Sequence, residues 1–361
     1  MRRSSVFLAV VIILGCGGSG GGGVALPAKL EGTINTADFS IPAGQSRTVT
    51  GDLTINATSS IKIAGTLIIP AGVNVNLWSE GDIELSGNLQ AGAPTPGGRG
   101  FGPYNTTVVG GNIRSSGNHS VGTGGNLVFA SSAGNVPATV SISGNITLPA
   151  GMNARNRNED GQDGGAVLIG GTLAVSIVTD SGRPCQSPKS ITLNASLTAG
   201  NGGGGYDDVQ GLSFGQDVSG LGSHGGGGGD VVVHASESLT IGAGVSATPG
   251  TGGRGGWVGR VPGDSSYLTA TDGTGVASPG GKADVFVGRG GSAGTITIIA
   301  PTTTGSATKT VVAGGNPGNG YVQSGKGGPG GPGGNVIIHS RLGGKNSLGA
   351  DHPIKSSFVV R

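Results

Sequence analysis

Short segments in which apolar and polar residues alternate recur along the chain. They share the form apolar, x, apolar, x, small, x, apolar, as in IKIAGTL from Ile61, IELSGNL from Ile83, VSISGNI from Val140, ITLNASL from Ile191 and LTIGAGV from Leu239. A period of two predicts a β-strand with one buried face. The small fifth residue predicts a tight bend, where a larger side chain would clash. Such strands, repeated with a corner, are typical of a parallel β-helix, in which stacked coils bury one another's inner faces.

A second unit begins with small residues, usually two glycines, and continues as an apolar strand. Its copies are GGNLVFA, GGAVLIG, GGDVVVHA, AGTITIIA and GGNVIIHS, and their first strand residues are Leu127, Val167, Val231, Ile296 and Val336. The strands are alike but their spacing varies, so insertions of different length interrupt a regular frame. Beyond the first fifteen residues, no segment of useful length has helical periodicity. We therefore predict an all-β, single-stranded parallel β-helix (β-solenoid) with glycine-rich loop insertions, right-handed by the usual crossover preference.

The two repeats divide the chain into regions. Regular β-helix coils are predicted over residues 30–91 and coils with glycine-rich insertions over residues 92–340, and residues 341–361 remain as a C-terminal tail or cap. Two conformations stay open for the glycine-rich runs. Ordering glycine costs much backbone entropy, which favours flexible loops. Runs of the form GGxGGx can also adopt polyproline II geometry and pack side by side through weak Cα–H···O contacts.

Composition and charge narrow the possibilities further. The 361 residues include 80 Gly and 18 Pro, and only 34% are hydrophobic and 4% aromatic. These values exclude a conventional thick core but allow a thin one that extends along a repeat. The formal net charge is +2, without a basic stripe, so the sequence does not indicate binding to nucleic acid.

The N-terminus has the features of an export signal. Arg2 and Arg3 precede an apolar run over residues 6–14, which is too short to span a bilayer. This pattern predicts a signal peptide over residues 1–15. Residues 16–29 are rich in Gly and Ser and are predicted to form a flexible tether.

The end of the apolar run, Ile13-Leu14-Gly15-Cys16, resembles the lipobox of bacterial lipoproteins, although leucine is more usual where Ile13 stands. The resemblance implies cleavage before Cys16, lipidation of its sulfur and attachment to the membrane through that lipid. Gly17, in place of Asp, implies the outer membrane of the cell envelope and possible exposure at the cell surface. The alternative is an ordinary signal peptide with a chance cysteine. Cys185 is the one remaining cysteine, so no disulfide framework is expected, and we expect its thiol to be inert.

The strand units and coils resemble the glycine-rich β-solenoid proteins of bacterial surfaces over about residues 30–340. This resemblance implies the architecture and does not specify an activity, because solenoids host many functions.

Two stretches contain residues that suggest calcium. GGGGGDVVV from Gly225 fits a calcium-binding nonapeptide repeat, but such sites need tandem copies. We therefore expect Asp230 to close the glycine loop and Val231 to begin a buried strand. In NRNEDGQDGG, an EF-hand-like spacing is formed by Asn156, Asn158, Asp160 and Asp163. The glutamate required at the twelfth position is replaced by Val167, so weak calcium binding and a solvated loop both remain open.

The glycine-rich insertions contain most of the aromatic residues. These are Phe101, Tyr104, Tyr206, Phe214, Trp257, Tyr267 and Tyr321. Their rings could contact glycans or a partner surface, or they could anchor the insertions to the body by burying apolar area. His119, His224 and His352 are expected to lie in loops.

These features favour a non-enzymatic structural or adhesive surface lipoprotein whose loops contact glycans, extracellular matrix or other cells. The alternative is a carbohydrate-active β-helix enzyme, a polysaccharide lyase or hydrolase, which would need converging carboxylates on the coil wall. The outward strand positions are mostly Ser, Thr and Asn, and no catalytic residue is assigned. Ice binding is a third alternative, but TITIIAPTTT from Thr295 supplies only one Thr-x-Thr patch.

Overall fold

A computed structural model of the chain describes residues 29–93, 104–132, 138–156, 158–179, 184–206, 208–210, 218–221, 223–255, 258–260, 283–286, 290–309 and 336–339. The predicted signal peptide, the lipobox with Cys16, almost all of the tether and the C-terminal tail lie outside these residues.

The secondary structure is mostly β. The strands of the first half are β1 (Lys29–Ile41), β2 (Ser46–Ile63), β3 (Thr66–Pro70), β4 (Val75–Ser79), β5 (Ile83–Leu85), β6 (Asn88–Gly92), β7 (Tyr104–Gly110), β8 (Asn112–Ser115), β9 (Gly125–Ser132), β10 (Thr139–Ile142), β11 (Ile146–Thr147) and β12 (Val167–Ile169). They are followed by α1 (Gly171–Thr179), β13 (Cys185–Gln186), β14 (Ser190–Leu193), β15 (Leu197–Thr198), β16 (Asp208–Gln210), β17 (Val218–Leu221), β18 (Val231–His234), β19 (Ser238–Thr248), β20 (Val258–Arg260), β21 (Ala283–Phe286), β22 (Ile296–Ile299), β23 (Thr302–Lys309) and β24 (Val336–His339).

Twenty of the described strands belong to one large sheet, and its named pairings are parallel except for β9 with β13. The pairings form three ladders. Ladder A runs through β1, β2, β4, β7, β9, β12, β18, β22 and β24. Ladder B runs through the last parts of β1 and β2 and then β5, β8, β10, β14, β19 and β23. Ladder C joins the first part of β2 to β3 and β6, continues through His119, β11 and β15, and ends in the last parts of β19 and β23. Successive segments of the chain visit A, B and C in turn, and we call one such passage through the three ladders a coil.

Both sequence repeats lie in register on these ladders. The glycine-strand units stack on ladder A, where Val167 pairs with Leu127 and with Val231, and Ile296 pairs with Val231 and with Val336. The alternating segments stack on ladder B, beginning with Ile61 opposite Ile83. A further copy, IRSSGNH from Ile113, departs from the apolar pattern and lies between Ile83 and Val140. Equivalent residues of successive repeats are therefore hydrogen-bonded neighbours.

The inward positions of the ladders form one thin, continuous core. Burial alternates along the strands, as in β4, where Val75 and Leu77 are fully buried while Asn76 is partly exposed. The small fifth residue of each alternating segment marks a tight corner, as predicted. A Cβ atom on Gly87 would lie 1.9 Å from the carbonyl oxygen of Gly65, and one on Gly144 would lie 1.9 Å from that of Gly117. Successive corners therefore stack backbone on backbone.

Asparagine and aspartate side chains extend the ladders beyond the strands. In this arrangement, which we call an Asx clamp, the side-chain Oδ1 of one residue accepts the N–H of a residue on the next coil. The N–H that follows the Asx residue donates to the carbonyl of that same partner. Such pairs include Asp52 with Asn74, Asn118 with Asn145, Asn126 with Ala166, Asn145 with Ser196, Asn153 with Gly204, Asp160 with His224, Asp163 with Gly227, Asn201 with Thr251 and Asp230 with Thr295. Both backbone polar groups of the partner are satisfied where strand geometry ends.

Six glycine-rich segments pack into an ordered bundle beside ladders A and C. An outgoing row consists of residues 148–154, 198–205 and 248–254, and a returning row consists of residues 160–166, 224–230 and 290–295. We call these six segments the glycine bundle. Within a row, hydrogen bonds recur at every third residue, as when Gly161 and Gly164 donate to His224 and Gly227. A period of three is that of polyproline II helices, so ordered packing is the alternative found for these segments.

Two chains of backbone hydrogen bonds tie the two rows of the bundle together. In one, Gly203 donates to Gln162, Gly226 to Gly203, Gly253 to Gly226 and Gly291 to Gly253, at 2.7–2.8 Å. The other chain links Gly165, Gly200, Gly229, Gly250 and Gly294 in the same manner. A Cβ atom at these inner positions would overlap a neighbouring backbone, as Gly203 shows with 2.0 Å to the carbonyl oxygen of Met152. Glycine is needed here for close approach between backbones.

The insertions beyond the bundle pair with one another. β16 pairs with β20 and β17 with β21, both in parallel, so the insertion of one coil contacts that of the next. The glycine-rich insertions are therefore joined to each other as well as to the coils.

The helix α1 corrects the expectation that the body has no helix. Gly170 and Gly171 have φ values of 67° and 86° and turn the chain away from ladder A. Ala174 and Val178 then pack on outward residues of that ladder, with Val128 and Leu168 buried beneath the helix. The three-residue apolar runs in these strands, such as Val167–Ile169, lack alternation because both of their faces are covered. These non-alternating apolar runs are the sequence feature that indicates a covered outer face.

Gly203→Ala is expected to destabilise the protein, whereas Gly204→Ala is a matched control. The methyl group at residue 203 would meet backbone atoms, but at residue 204 the nearest atoms are the side chains of Asn153, at 3.2 Å, and Arg254, at 3.5 Å. Overpacking of this kind costs about 1–3 kcal/mol, whereas the control should lose clearly less, because the side chains next to residue 204 can shift and the backbone next to residue 203 cannot. Urea unfolding followed by circular dichroism measures both values, and equal losses would contradict the bundle packing.

Candidate functional site

A cleft of about 1200 Å³ lies between the returning row of the glycine bundle and helix α1. One wall contains the acidic residues Glu159, Asp160, Asp163 and Asp230, and the other contains the apolar residues Leu168, Leu173 and Ile177. Leu173 is 52% exposed, which is unusual for a large apolar side chain in the described part of this chain. The lining of the cleft includes Asp160 and Asp163, two of the residues predicted to bind calcium.

Most of the side chains that make up the predicted calcium loop form Asx clamps or local turns. Oδ1 of Asp160 accepts the N–H of His224 at 2.8 Å, and Oδ1 of Asp163 accepts that of Gly227 at 2.6 Å. Asn156 accepts the N–H of Asn158 within the turn. One oxygen of each carboxylate is therefore engaged in holding the next segment of the bundle.

The positive charge next to this loop is the guanidinium group of Arg155. Arg155 forms an ion pair with Glu159 at 3.3 Å. Within the described residues, no group of three or more His, Cys, Asp or Glu side chains is placed to hold a metal ion. The arrangement can order the backbone of the bundle, and calcium binding stays a prediction from the sequence.

Asp230 lies at the junction between the glycine run and strand β18, as expected. Its Oδ1 accepts the N–H of Thr295 at 2.7 Å and the Thr295 hydroxyl at 2.9 Å. Val231 and Val233 are buried, whereas Val232 faces outward and packs partly against the cluster beneath α1. The aspartate therefore aligns the glycine bundle with ladder A.

The predicted contact aromatics are placed differently from one another. Tyr104 begins strand β7 and is 7% exposed, which matches the alternative in which a ring packs onto the body. Tyr206 is partly exposed where the outgoing row enters an insertion, and its N–H donates to the Ser223 hydroxyl at 2.7 Å. Trp257, Tyr267 and Tyr321 lie outside the described residues.

A buried polar pair, Ser115 and His119, interrupts the apolar core. The expectation that His119 lies in a loop is wrong, because it bridges Leu89 and Ile146 on ladder C and is 2% exposed. Its Nδ1 accepts the N–H of Leu89 at 3.2 Å, and its Nε2 lies 2.6 Å from Oγ of Ser115. The overlooked signal is the repeat IRSSGNH, in which Ser115 and His119 occupy positions that are apolar in the other copies.

The hydrogen bonds of this pair determine what it can do chemically. Because Nδ1 accepts from the backbone, the neutral ring has its proton on Nε2 and donates it to Ser115. A serine nucleophile would need the reverse, with a histidine nitrogen that accepts the hydroxyl proton. Burial also lowers the pKa of His119 to about 4, so the ring is neutral at pH 7. The pair is therefore a structural hydrogen bond in the core.

Two carboxylates on the first half of ladder B are paired with cations, whereas Asp38 on β1 accepts the Ser60 hydroxyl at 2.6 Å. Glu84 lies 3.0 Å from Lys62, and Asp82 lies 3.4 Å from Arg114. The neighbouring outward positions on the later coils carry hydroxyl residues.

Cys185 is partly buried beside α1. Its Sγ donates to the carbonyl of Val175 at 3.5 Å, and burial raises the pKa of its thiol. A raised pKa disfavours the reactive thiolate, which agrees with the inert role expected for this cysteine.

No family model, curated protein or solved structure matches the chain. Among the described residues, no helix has the length and apolarity needed to cross a membrane.

Acidification is expected to destabilise the protein through His119. Its pKa in the folded protein is lower than the ordinary histidine value of 6.5, so the unfolded state binds the proton more readily and stability falls as the pH drops from about 6.5 to about 4. The full effect is about 3 kcal/mol. In Ser115→Val/His119→Leu this contribution should vanish, as measured by urea unfolding at a series of pH values.

The exposed His224 provides the control for this experiment. His224→Gln should keep the pH dependence of the wild-type protein. A Ser115→Val/His119→Leu protein that loses stability over the same pH range as the wild type would show that another group is responsible.

Proposed function

We propose that the chain is a right-handed, single-stranded parallel β-helix that serves as a non-enzymatic structural or adhesive rod on the bacterial envelope. The observation that carries this proposal is the stacking of ladders A, B and C in the same order, with equivalent residues paired from coil to coil. A chain that visits three ladders in turn and climbs one strand spacing each time forms a coil around the shared core.

The proposed anchor is a lipid on Cys16 after removal of residues 1–15. Strand β1 begins at Lys29, which leaves residues 16–28 as the tether between the lipid and the first coil. Fully extended, these residues would reach about 40 Å. That distance would let the rod stand clear of the lipid headgroups of the outer membrane.

The proposed contact region is the set of insertions beyond the glycine bundle. The bundle fixes the start and end of consecutive insertions, and the pairing of β16 with β20 and of β17 with β21 holds neighbouring insertions together. Contact with glycans, matrix or other cells would thus be made by a surface shared between coils. Tyr206, at the entry to one insertion, is partly exposed and supports this placement.

The enzymatic alternative has less support from the arrangement of carboxylates. Glu84, Asp82 and Glu237 each form an ion pair with a cationic side chain on their ladder wall. Asp160, Asp163 and Asp230 in the cleft hold backbone groups of the next coil. Turnover of any member of a polysaccharide panel by the purified protein would favour the lyase or hydrolase instead.

Cys16→Ser is expected to release the protein from the membrane, because the sulfur that would take the lipid is removed. Cell fractionation and labelling with a radioactive fatty acid measure the change. Cys185→Ser is the matched control and should remain labelled and membrane-bound. Labelling that survives Cys16→Ser would contradict the proposed anchor.

Tyr206→Ala/Trp257→Ala is expected to weaken adhesion to glycans or cells while leaving the fold intact. Exposed aromatic side chains often dominate such contacts, and each is worth about 2 kcal/mol or more where it is a hot spot. The matched control is Tyr104→Ala, which removes a buried ring and should lower the unfolding temperature without a specific loss of adhesion. Binding of labelled cells and a glycan array, measured below the unfolding temperature, separates the two effects, and unchanged binding of the double variant would refute the adhesive role.

A further inference from the structure

The outward face of ladder B carries a grid of hydroxyl groups on its later coils, β10, β14, β19 and β23. The strands pair in direct register, so equivalent outward residues stack in columns. One column is Thr139, Ser190, Ser238 and Thr302, and the next is Ser141, Thr192, Thr240 and Thr304. Thr302 and Thr304 form a Thr-x-Thr pair, and the fold stacks this pair on three further pairs of serine and threonine residues.

The two columns of the grid contain no charged side chain, in contrast to the earlier coils of the same wall. The ion pair of Lys189 and Glu237, at 3.1 Å, borders the grid next to Ser190 and Ser238. Lys62, Glu84 and Arg114 continue the second column below Ser141, and there they contribute charged groups. The change from charged to hydroxyl residues occurs between β8 and β10. One wall is therefore divided into two chemically different surfaces.

The backbone holds the grid rigidly. The inward neighbours Val140, Ile142 and Ile191 are at most 1% exposed. The hydroxyls of Ser190 and Ser238 lie 2.9 Å apart, and that of Thr304 donates to that of Thr240 at 3.3 Å. Threonine is also restricted at χ1. The side chains thus lose little further freedom when they meet an ordered partner.

Ladder C adds a further column to this surface. Thr198 pairs with Thr147 and with Thr248, and all three side chains are at least partly exposed. The hydroxyl-bearing region therefore extends around the corner from ladder B and repeats on the same coils.

The repeat distance of the grid is close to that of solid water. Neighbouring strands lie about 4.8 Å apart, which sets the backbone repeat of a column. Hydroxyls that bond to each other within a column are closer, at 2.9 Å for Ser190 and Ser238 and 3.3 Å for Thr240 and Thr304. Two O–H···O bonds of about 2.75 Å that meet at a tetrahedral angle place alternate oxygens of an ice lattice about 4.5 Å apart. Each hydroxyl, like water, can both donate and accept a hydrogen bond.

We infer that this hydroxyl grid binds an ordered lattice of water, so that the protein adsorbs to ice. Its uncharged donors and acceptors match a lattice of the same kind. Among the described outward residues of the grid there is no aromatic ring of the type that stacks on sugars, which favours water over a polysaccharide surface. This inference is independent of the adhesive role proposed for the insertions.

The test is the partition of purified full-length protein into a slowly growing body of ice. The wild-type protein should be incorporated, whereas Thr192→Lys/Thr240→Lys should be excluded as an inert protein is, because two ammonium groups interrupt the grid. Ser141→Lys/Thr304→Lys, at the two neighbouring positions of the column, provides a second variant with the same expected loss. Circular dichroism before the assay verifies that each variant is folded.

Thr33→Lys is the matched control, since Thr33 is an exposed hydroxyl residue on β1, away from the grid. It should enter ice as the wild-type protein does. Exclusion of the wild-type protein, or equal loss in Thr33→Lys, would overturn the inference. A third outcome would also overturn it: none of the proteins enters ice, and crystalline cellulose retains the wild-type protein but not the grid variants.

Discussion

Hydrogen bonding between equivalent residues of successive coils is the constraint on which the structure depends. In the strands, the bonds are ordinary parallel pairings, as between Val167 and Val231. Where the strands end, Asx side chains supply the missing acceptors, as Asp163 does for Gly227. In the glycine bundle, the same coil-to-coil bonds recur at every third residue. The spacing between successive coils is therefore the same in the strands, at the strand ends and in the glycine bundle.

This constraint explains how a chain with so few large apolar residues can maintain a fold. The inward side chains form a thin core, and the remaining cohesion comes from backbone groups that are satisfied between coils. Glycine is abundant because the corners and the bundle bring backbones closer than a Cβ atom permits, as at Gly87 and Gly203. The core tolerates a polar pair at Ser115 and His119 because the two side chains bond to each other and His119 also accepts the N–H of Leu89.

The same stacking converts local sequence features into continuous surfaces. The chemical character of the surface around an outward residue depends on the residues stacked above and below it. Glu84 is part of a charged column with Lys62 and Arg114, whereas Thr192 is part of a hydroxyl column with Ser141 and Thr240. The cleft beside α1 arises in a similar way, from the returning row of the bundle and a helix that covers apolar residues of ladder A.

The sequence by itself determined the mainly parallel β architecture and the register of its repeats, because a period of two and fixed small residues report on burial within each coil. It also placed Asp230 at the end of the glycine run and Val231 at the start of a buried strand. Only the tertiary structure decided that the glycine runs pack as a bundle, that TLAVSIVT forms a helix, and that His119 enters the core. Those outcomes depend on contacts between coils that are far apart in the chain, such as Gly203 with Gln162. The local periodicity of the sequence carries no information about such contacts.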